Sequence, residues 1–148
     1  MIGNQKYSIT IDAIKKEGIK LSMDINHVEY YLNDVKKSIR SGRCRIALNN
    51  RRQKNRRLFS EYVIDEAKSK EILLSLTAYD FSEAVRNEHS GFEHEWLYIF
   101  GKNVKLLLRF GCLEEDVPLY IKLNKLENQF IIVISFHRQD YPLDYAFR

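Results

Sequence analysis

Cysteine is scarce in this sequence, and the two present, Cys44 and Cys112, are far apart and in no metal-like spacing. Two such thiols read as buried or incidental groups in a reducing cytosol, not as a disulfide framework. Long apolar segments are also missing. The longest, Phe130 to Ser135, is far short of the roughly 20 residues that span a bilayer. The polar start, Met1 to Lys6, is not followed by the apolar stretch of a signal peptide. These absences point to a soluble, cytoplasmic protein with no membrane partner. Internal repeats and low-complexity segments are absent too. What is present is a hydrophobic fraction of 45% in 148 residues, enough for one domain with its own core and too much for a disordered chain.

Acidic residues are missing from one long segment. Between Lys36 and Arg57 lie ten of the 24 Lys and Arg and none of the 20 Asp and Glu, so the remainder of the chain has a balance of −6. One segment therefore makes the protein basic. A localised stripe of this kind is the electrostatic footprint of a polyanion partner. Its last part, with Arg51, Arg52, Lys54, Arg56 and Arg57, has no apolar residue from Asn49 to Arg57 and reads as an exposed loop able to hold nucleic acid.

The first half reads as helical. Tyr7 to Ile14 and Ile19 to Ile25 read as an N-terminal strand or short helix. Asp24 or Asn26 caps a helix from about His27 to Ser41, since Val28, Tyr31, Leu32, Val35 and Ile39 form one stripe and Gly42 closes it. Asp65 caps a second helix to about Leu76, with Ala67, Ile72, Leu73 and Leu76 inward. A shorter helix follows Asp80, carrying Phe81, Ala84 and Val85.

From Glu95 the period changes to two. The spacing predicts strands at Trp96 to Phe100, Val104 to Phe110, Val117 to Leu123 and Phe130 to His137. A hairpin turn is expected at Gly101-Lys102-Asn103, a loop from Gly111 to Asp116, and a strand start or edge at Pro118. The expected architecture is α+β, with helices packed on one face of a four-stranded or larger antiparallel sheet. Parity places Val117, Leu119, Ile121 and Leu123 toward the helices and Tyr120 and Lys122 outward. It likewise separates Phe130, Ile132, Ile134 and Phe136 from Ser135 and His137. Lys105 and Arg109 join the outward set. Cations, a phenol and an imidazole on one open sheet face suit a phosphate backbone and an unstacked base. Taken singly, each also has an ordinary surface role. Of the aromatics Phe92, Trp96, Tyr98 and Phe100, at least Trp96 or Tyr98 is expected in the core.

Several segments resemble, in order and spacing, those of the MqsR family of ribonuclease toxins. They are Val35-Lys36-Lys37 through Arg45-Ile46-Ala47-Leu48, Asp80-Phe81 followed by Trp96 and Tyr98, Leu119-Tyr120-Ile121-Lys122-Leu123, and Ile132-Val133-Ile134-Ser135-Phe136-His137. The likeness covers about residues 30 to 138 and leaves residues 1–27 as an N-terminal extension of a single domain spanning 1–148. It implies a RelE-like fold, cutting of messenger RNA without a metal or other cofactor, and inhibition by a partner antitoxin. The family's active positions are a Lys after Asp-Phe, a Gln before the aromatic strand, the Tyr of the tyrosine strand and a Lys after Ser-Phe. Tyr120 matches; Glu83, Glu95 and His137 stand at the other three.

Metal-free cleavage uses the RNA 2′-hydroxyl as nucleophile and needs a base, an acid and a cation. The expected assignment is Glu95 as base, His137 as acid, Tyr120 holding the phosphate or sharing the acid role, and Arg138, Lys122 or Arg109 as cation. Lys105 and the basic stripe bind substrate. Three rivals stand beside this reading. One is a metal site from His89, Glu93, His94 and Glu95 with His137, although no helix places two of these at i and i+4 as in a zincin. The others are a non-catalytic RNA- or DNA-binding module and a protein-interaction regulator with a basic docking loop.

Overall fold

The computed structural model describes residues 14–15, 18–21 and 23–148. The expected element at Tyr7 to Ile14 lies almost wholly outside the described residues. Along the chain run β1 (Ile14–Lys15), β2 (Gly18–Leu21), α1 (Ile25–Arg40), β3 (Cys44–Ile46), α2 (Gln53–Glu61) and α3 (Glu66–Leu74). A 3-10 turn (Ala78–Asp80) then leads into β4 (Phe81–Arg86), β5 (Trp96–Leu107), β6 (Glu114–Lys125) and β7 (Ile131–Arg138). The strands form one sheet in the order β1-β2-β4-β5-β6-β7-β3, antiparallel throughout except that β3 runs parallel to β7. The α+β class, with helices packed on a sheet, is as expected.

Helix α1 follows its sequence signals. The Asp24 carboxylate accepts from the His27 N–H at 2.8 Å, Gly42 ends the helix at φ +78°, and Val28, Tyr31, Leu32, Val35 and Ile39 are all buried. Asp65 caps α3 in the same way, accepting from the Lys68 N–H. Ile72, Leu73 and Leu76 are buried, while Ala67 is exposed. These side chains meet Tyr98, Phe100, Val117, Leu119, Ile121 and Leu123 from the sheet in one core. Tyr98 is buried, and Trp96 is half-buried.

Other expectations fail for identifiable reasons. The stretch from Asn49 to Arg57 is not all loop, because Gln53 to Glu61 form α2. Only Asn55 and Leu58 of that helix are fully buried, so it carries no apolar stripe to read. The helix expected after Asp80 is strand β4. Its register against β5 jumps from Phe81↔Phe100 to Glu83↔Ile99, so Ser82 is an extra residue, and Phe81 and Ala84 both point inward. A bulged strand thus imitates the three-residue spacing of a helix.

No hairpin occurs at Gly101-Lys102-Asn103; β5 runs unbroken for 12 residues. The chain reverses later, at residues 108–113, and β6 begins at Glu114 inside the expected loop. Gly101 meets a different need. A Cβ there would lie 2.8 Å from Leu143 Cδ1 and from Gln139 Nε2, and would also strike Tyr145, because the C-terminal segment crosses the sheet at this point. Pro118 is neither at an edge strand nor at a strand start. It lies just past the last β6–β7 pair, Leu119↔Arg138, with its carbonyl accepting from Gln139 N–H, so its missing N–H breaks no ladder bond.

The parity expected in β7 also changes. Ile131, Val133 and Phe136 are fully buried, whereas Ile132 and Ile134 are not. The register runs Leu123↔Val133 and then Lys122↔Ser135, which leaves Ile134 as an unpaired bulge residue. Beyond the bulge His137 faces outward, opposite Tyr120. Without it, unbroken alternation from Ile131 and Val133 would turn His137 into the core.

Candidate active site

The outward face of the central strands carries two neighbouring rows. One is Gly101, Tyr120 and His137; the other is Ile99, Lys122 and Ser135, with Glu83 across from Ile99. The bulges in β4 and β7 are what put Glu83 and His137 on this face. Tyr120 and His137 stack with ring centroids 5.1 Å apart and planes 12° from parallel. The Lys122 ammonium lies 5.9 Å from the Tyr120 ring centre.

Two further walls enclose this surface. Helix α2 brings Lys54 from one side, and the C-terminal segment brings Asp140, Tyr141 and Leu143 from the other, leaving an open cleft of about 200 Å³ above Tyr120 and His137. Lys54 and Asp140 form an ion pair across the rim. The C-terminal segment is tied down by Ser82 Oγ donating to Asp144 O, by Ala146 N–H donating to Phe81 O and by the Arg148–Asp80 ion pair. A larger hollow of about 420 Å³ lies elsewhere, beside β3 between α1, α2 and α3. Its lining is largely apolar and lacks a phenol or imidazole.

Burial and neighbouring charge set the protonation states. His137 Nδ1 lies 2.8 Å from its neighbour's carbonyl, Arg138 O, and a carbonyl only accepts, so Nδ1 carries the proton and Nε2 keeps a lone pair. Burial lowers the His137 pKa below the usual imidazole value. Lys54 and Lys122 push the same way, while the Arg138 carbonyl and Asp140 oppose them. The ring is therefore neutral at pH 7. Burial, with Tyr141, Glu83 and Asp140 adding to it, pushes the Tyr120 phenol up to about 12, so it stays protonated. Burial and then Arg52 lower the Lys122 pKa, and Glu83 raises it.

The remaining expected site residues are distributed as follows. Glu95 lies on the same face but further along: its carboxylate accepts from Asn87 at 3.0 Å and Asn124 at 2.9 Å. Asn124 is four residues from Tyr120, or about 13 Å at the usual rise per strand residue. Glu83, not Glu95, is the carboxylate felt by both Tyr120 and Lys122. Arg138 points the other way, donating to Tyr62 Oη and lying over its ring. Arg109 is not on the open sheet face. It lies beyond the end of β5, where it donates to the carbonyls of Phe59 and Tyr62. Lys105 faces outward at the distal end, paired with Asp116 at 2.9 Å. Lys54 borders the cleft, Arg52 acts electrostatically on Lys122, Arg57 lines an adjoining hollow with Glu61 and His137, Arg56 donates to the Asn50 side chain, and Arg51 is exposed.

Among the described residues no three His, Cys, Asp or Glu side chains are grouped as metal ligands. Sequence reasoning misses Asn55, Asp140 and Tyr141 as parts of this region. The aromatic C-terminal segment is visible in the sequence, but its path across the sheet is not. No protein-family model, no curated protein and no solved structure matches this chain.

Proposed function

We propose that this protein is a metal-independent endoribonuclease. The observation that carries the reading is the stacked pair on the open face: a neutral His137 with Nε2 unprotonated beside a Tyr120 that retains its proton, with cations around both. The roles differ from those expected from sequence alone. His137 Nε2 removes the proton from the RNA 2′-hydroxyl, whose oxygen forms a bond to the adjacent phosphorus. Tyr120 gives its proton to the departing 5′-oxygen as the phosphorus–oxygen bond breaks. Lys122, with Arg52 and Lys54 nearby, stabilises the charge that accumulates on the phosphorane oxygens. The products are a 2′,3′-cyclic phosphate and a 5′-hydroxyl. The imidazolium then returns its proton to the phenolate, which restores both groups.

The exposed cations of α2 continue from the cleft and suit the ribose-phosphate chain on either side of the scissile bond. The likeness of the Tyr120 and His137 strands to those of MqsR toxins supports messenger RNA as substrate and an antitoxin protein as regulator. In the test, purified protein is incubated with a defined RNA in EDTA and the ends of the products are analysed, with His137→Ala as control. Discrete cuts bearing 2′,3′-cyclic phosphate, lost in the variant, are expected. RNA that is bound but left intact by folded, partner-free protein would replace this reading with a non-catalytic RNA-binding module.

A further inference from the structure

Helix α2 buries one polar side chain. Asn55 is 1% exposed and makes three hydrogen bonds, all to backbone. Its Nδ2 donates to Ala47 O at 2.8 Å and to Ile134 O at 2.9 Å, and its Oδ1 accepts from Phe136 N–H at 2.8 Å. These contacts fix which end of the amide is which.

The two β7 groups that Asn55 engages, the carbonyl of the bulge residue Ile134 and the Phe136 N–H, flank Ser135. Parallel pairing with β3 covers only Ile131 to Val133, and Ala47 N–H makes the next bond, to Val133 O. Past that point no strand among the described residues pairs with β7 on this side. The Ile134 carbonyl and the Phe136 N–H would be buried orphans, each costing about 1–3 kcal/mol unpaired. An amide supplies one donor and one acceptor side by side, as a neighbouring strand residue would. Asn55 therefore replaces a missing strand for one residue pair and stabilises the bulge. The bulge is the reason that Ser135 and His137 face Lys122 and Tyr120.

We infer that Asn55 is a positioning residue for His137, joining the cation-bearing helix to the strand that carries the proposed base. Resting on the ribonuclease reading, this inference adds a link between binding and chemistry. Arg52 and Lys54 stand within three residues of Asn55, so the helix that meets phosphate is the one that fixes the imidazole. A hydrophobic residue at position 55 would serve burial equally well, yet would leave both backbone groups unpaired.

The test compares Asn55→Ala with Ile72→Ala, which removes a fully buried side chain of another helix, α3, without touching α2 or the bulge. Two readouts are used: steady-state cleavage of RNA, and the NMR titration midpoint of the His137 imidazole, assigned by its loss in His137→Ala. In Asn55→Ala, kcat should fall about a hundredfold, as expected for a catalytic group displaced by about 1 Å. KM should stay within about threefold, and the His137 midpoint should rise toward about 6.5 as the ring becomes solvated. Ile72→Ala should change neither. If both variants lose activity alike, or if Asn55→Ala leaves the midpoint in place, the inference is overturned. Should the alanine variant not fold, Asn55→Asp, which keeps the acceptor and loses both donated bonds, is judged by the same criteria. If wild-type protein cleaves no RNA, only the ribonuclease reading fails, and the midpoint still decides the role of Asn55.

Discussion

At the residue scale, the assignment of base and acid rests on His137 and Tyr120, and it has a definite pH signature. A base must be unprotonated, and burial lowers the His137 pKa below its ordinary 6.5. The kcat/KM for RNA cleavage should therefore be flat through neutrality and fall on the acid side, below pH 6.5. Were His137 the acid, the loss would come on the alkaline side instead, and a pH profile separates the two. Stability has the same sign. The unfolded chain takes up the His137 proton more readily than the folded one, so this residue's contribution is present above pH 6.5 and is lost as pH falls through the folded value. Tyr120, at about 12, sets no limb in the working range. An alkaline decline should instead come from Lys122, whose charge is lost below the usual 10.5. Tyr120→Phe removes the proposed acid and keeps the ring stacked on His137. It should lower kcat by about 10²–10⁴-fold, and RNA with a better 5′ leaving group should restore much of the rate.

At the element scale, the basic stripe divides into parts with separate work. Lys37 and Arg40 lie in the last turn of α1, where cations are favourable. Arg52 and Lys54 begin α2, and Lys54 borders the cleft. Replacing both with Gln should raise KM more than it lowers kcat. It should also reduce the salt dependence of single-stranded RNA binding, by about 0.7 in log–log slope for each phosphate that is no longer neutralised. Unchanged slope in a filter-binding titration would remove α2 from the interface. Legibility also differs by element. Helices α1 and α3 are readable because capping Asp residues and apolar side chains recur at helical spacing. Helix α2 and strand β4 are not, because one buries an amide in place of a stripe and the other hides a bulge at Ser82. Strands β6 and β7 lie where the alternation puts them, yet Ile132 and Ile134 face the other way, since a single inserted residue reverses parity.

At the scale of the whole molecule, the C-terminal segment is what makes the cleft a cleft. It runs from β7 across Gly101 to the start of β4, and Arg148 closes on Asp80 beneath a cation–π contact with Tyr145 at 3.8 Å. Its passage needs the missing side chain at Gly101. Gly101→Ala should therefore push Leu143 and Gln139 outward and destabilise the fold by about 1–3 kcal/mol, read as a lower midpoint in urea. Cleavage should fall with it, because Tyr141 and Leu143 form the wall facing Tyr120. A fully stable Gly101→Ala would show that the segment lifts from the sheet at little cost. None of the described helices is long and apolar enough to cross a membrane. Both thiols, Cys44 and Cys112, are unpaired.

The amino-acid sequence by itself determined the α+β class, the first and third helices, the inward face of β6 and the candidates Tyr120, Lys122 and His137. Those features depend on local periodicity and capping, which a linear reading can see. Only the tertiary structure decided that Glu83 lies with them and Glu95 further along, and that the His137 pKa is lowered. Each of these follows from a bulge, a long-range amide latch or burial. Such features arise between segments far apart in the chain, and no spacing within one segment records them.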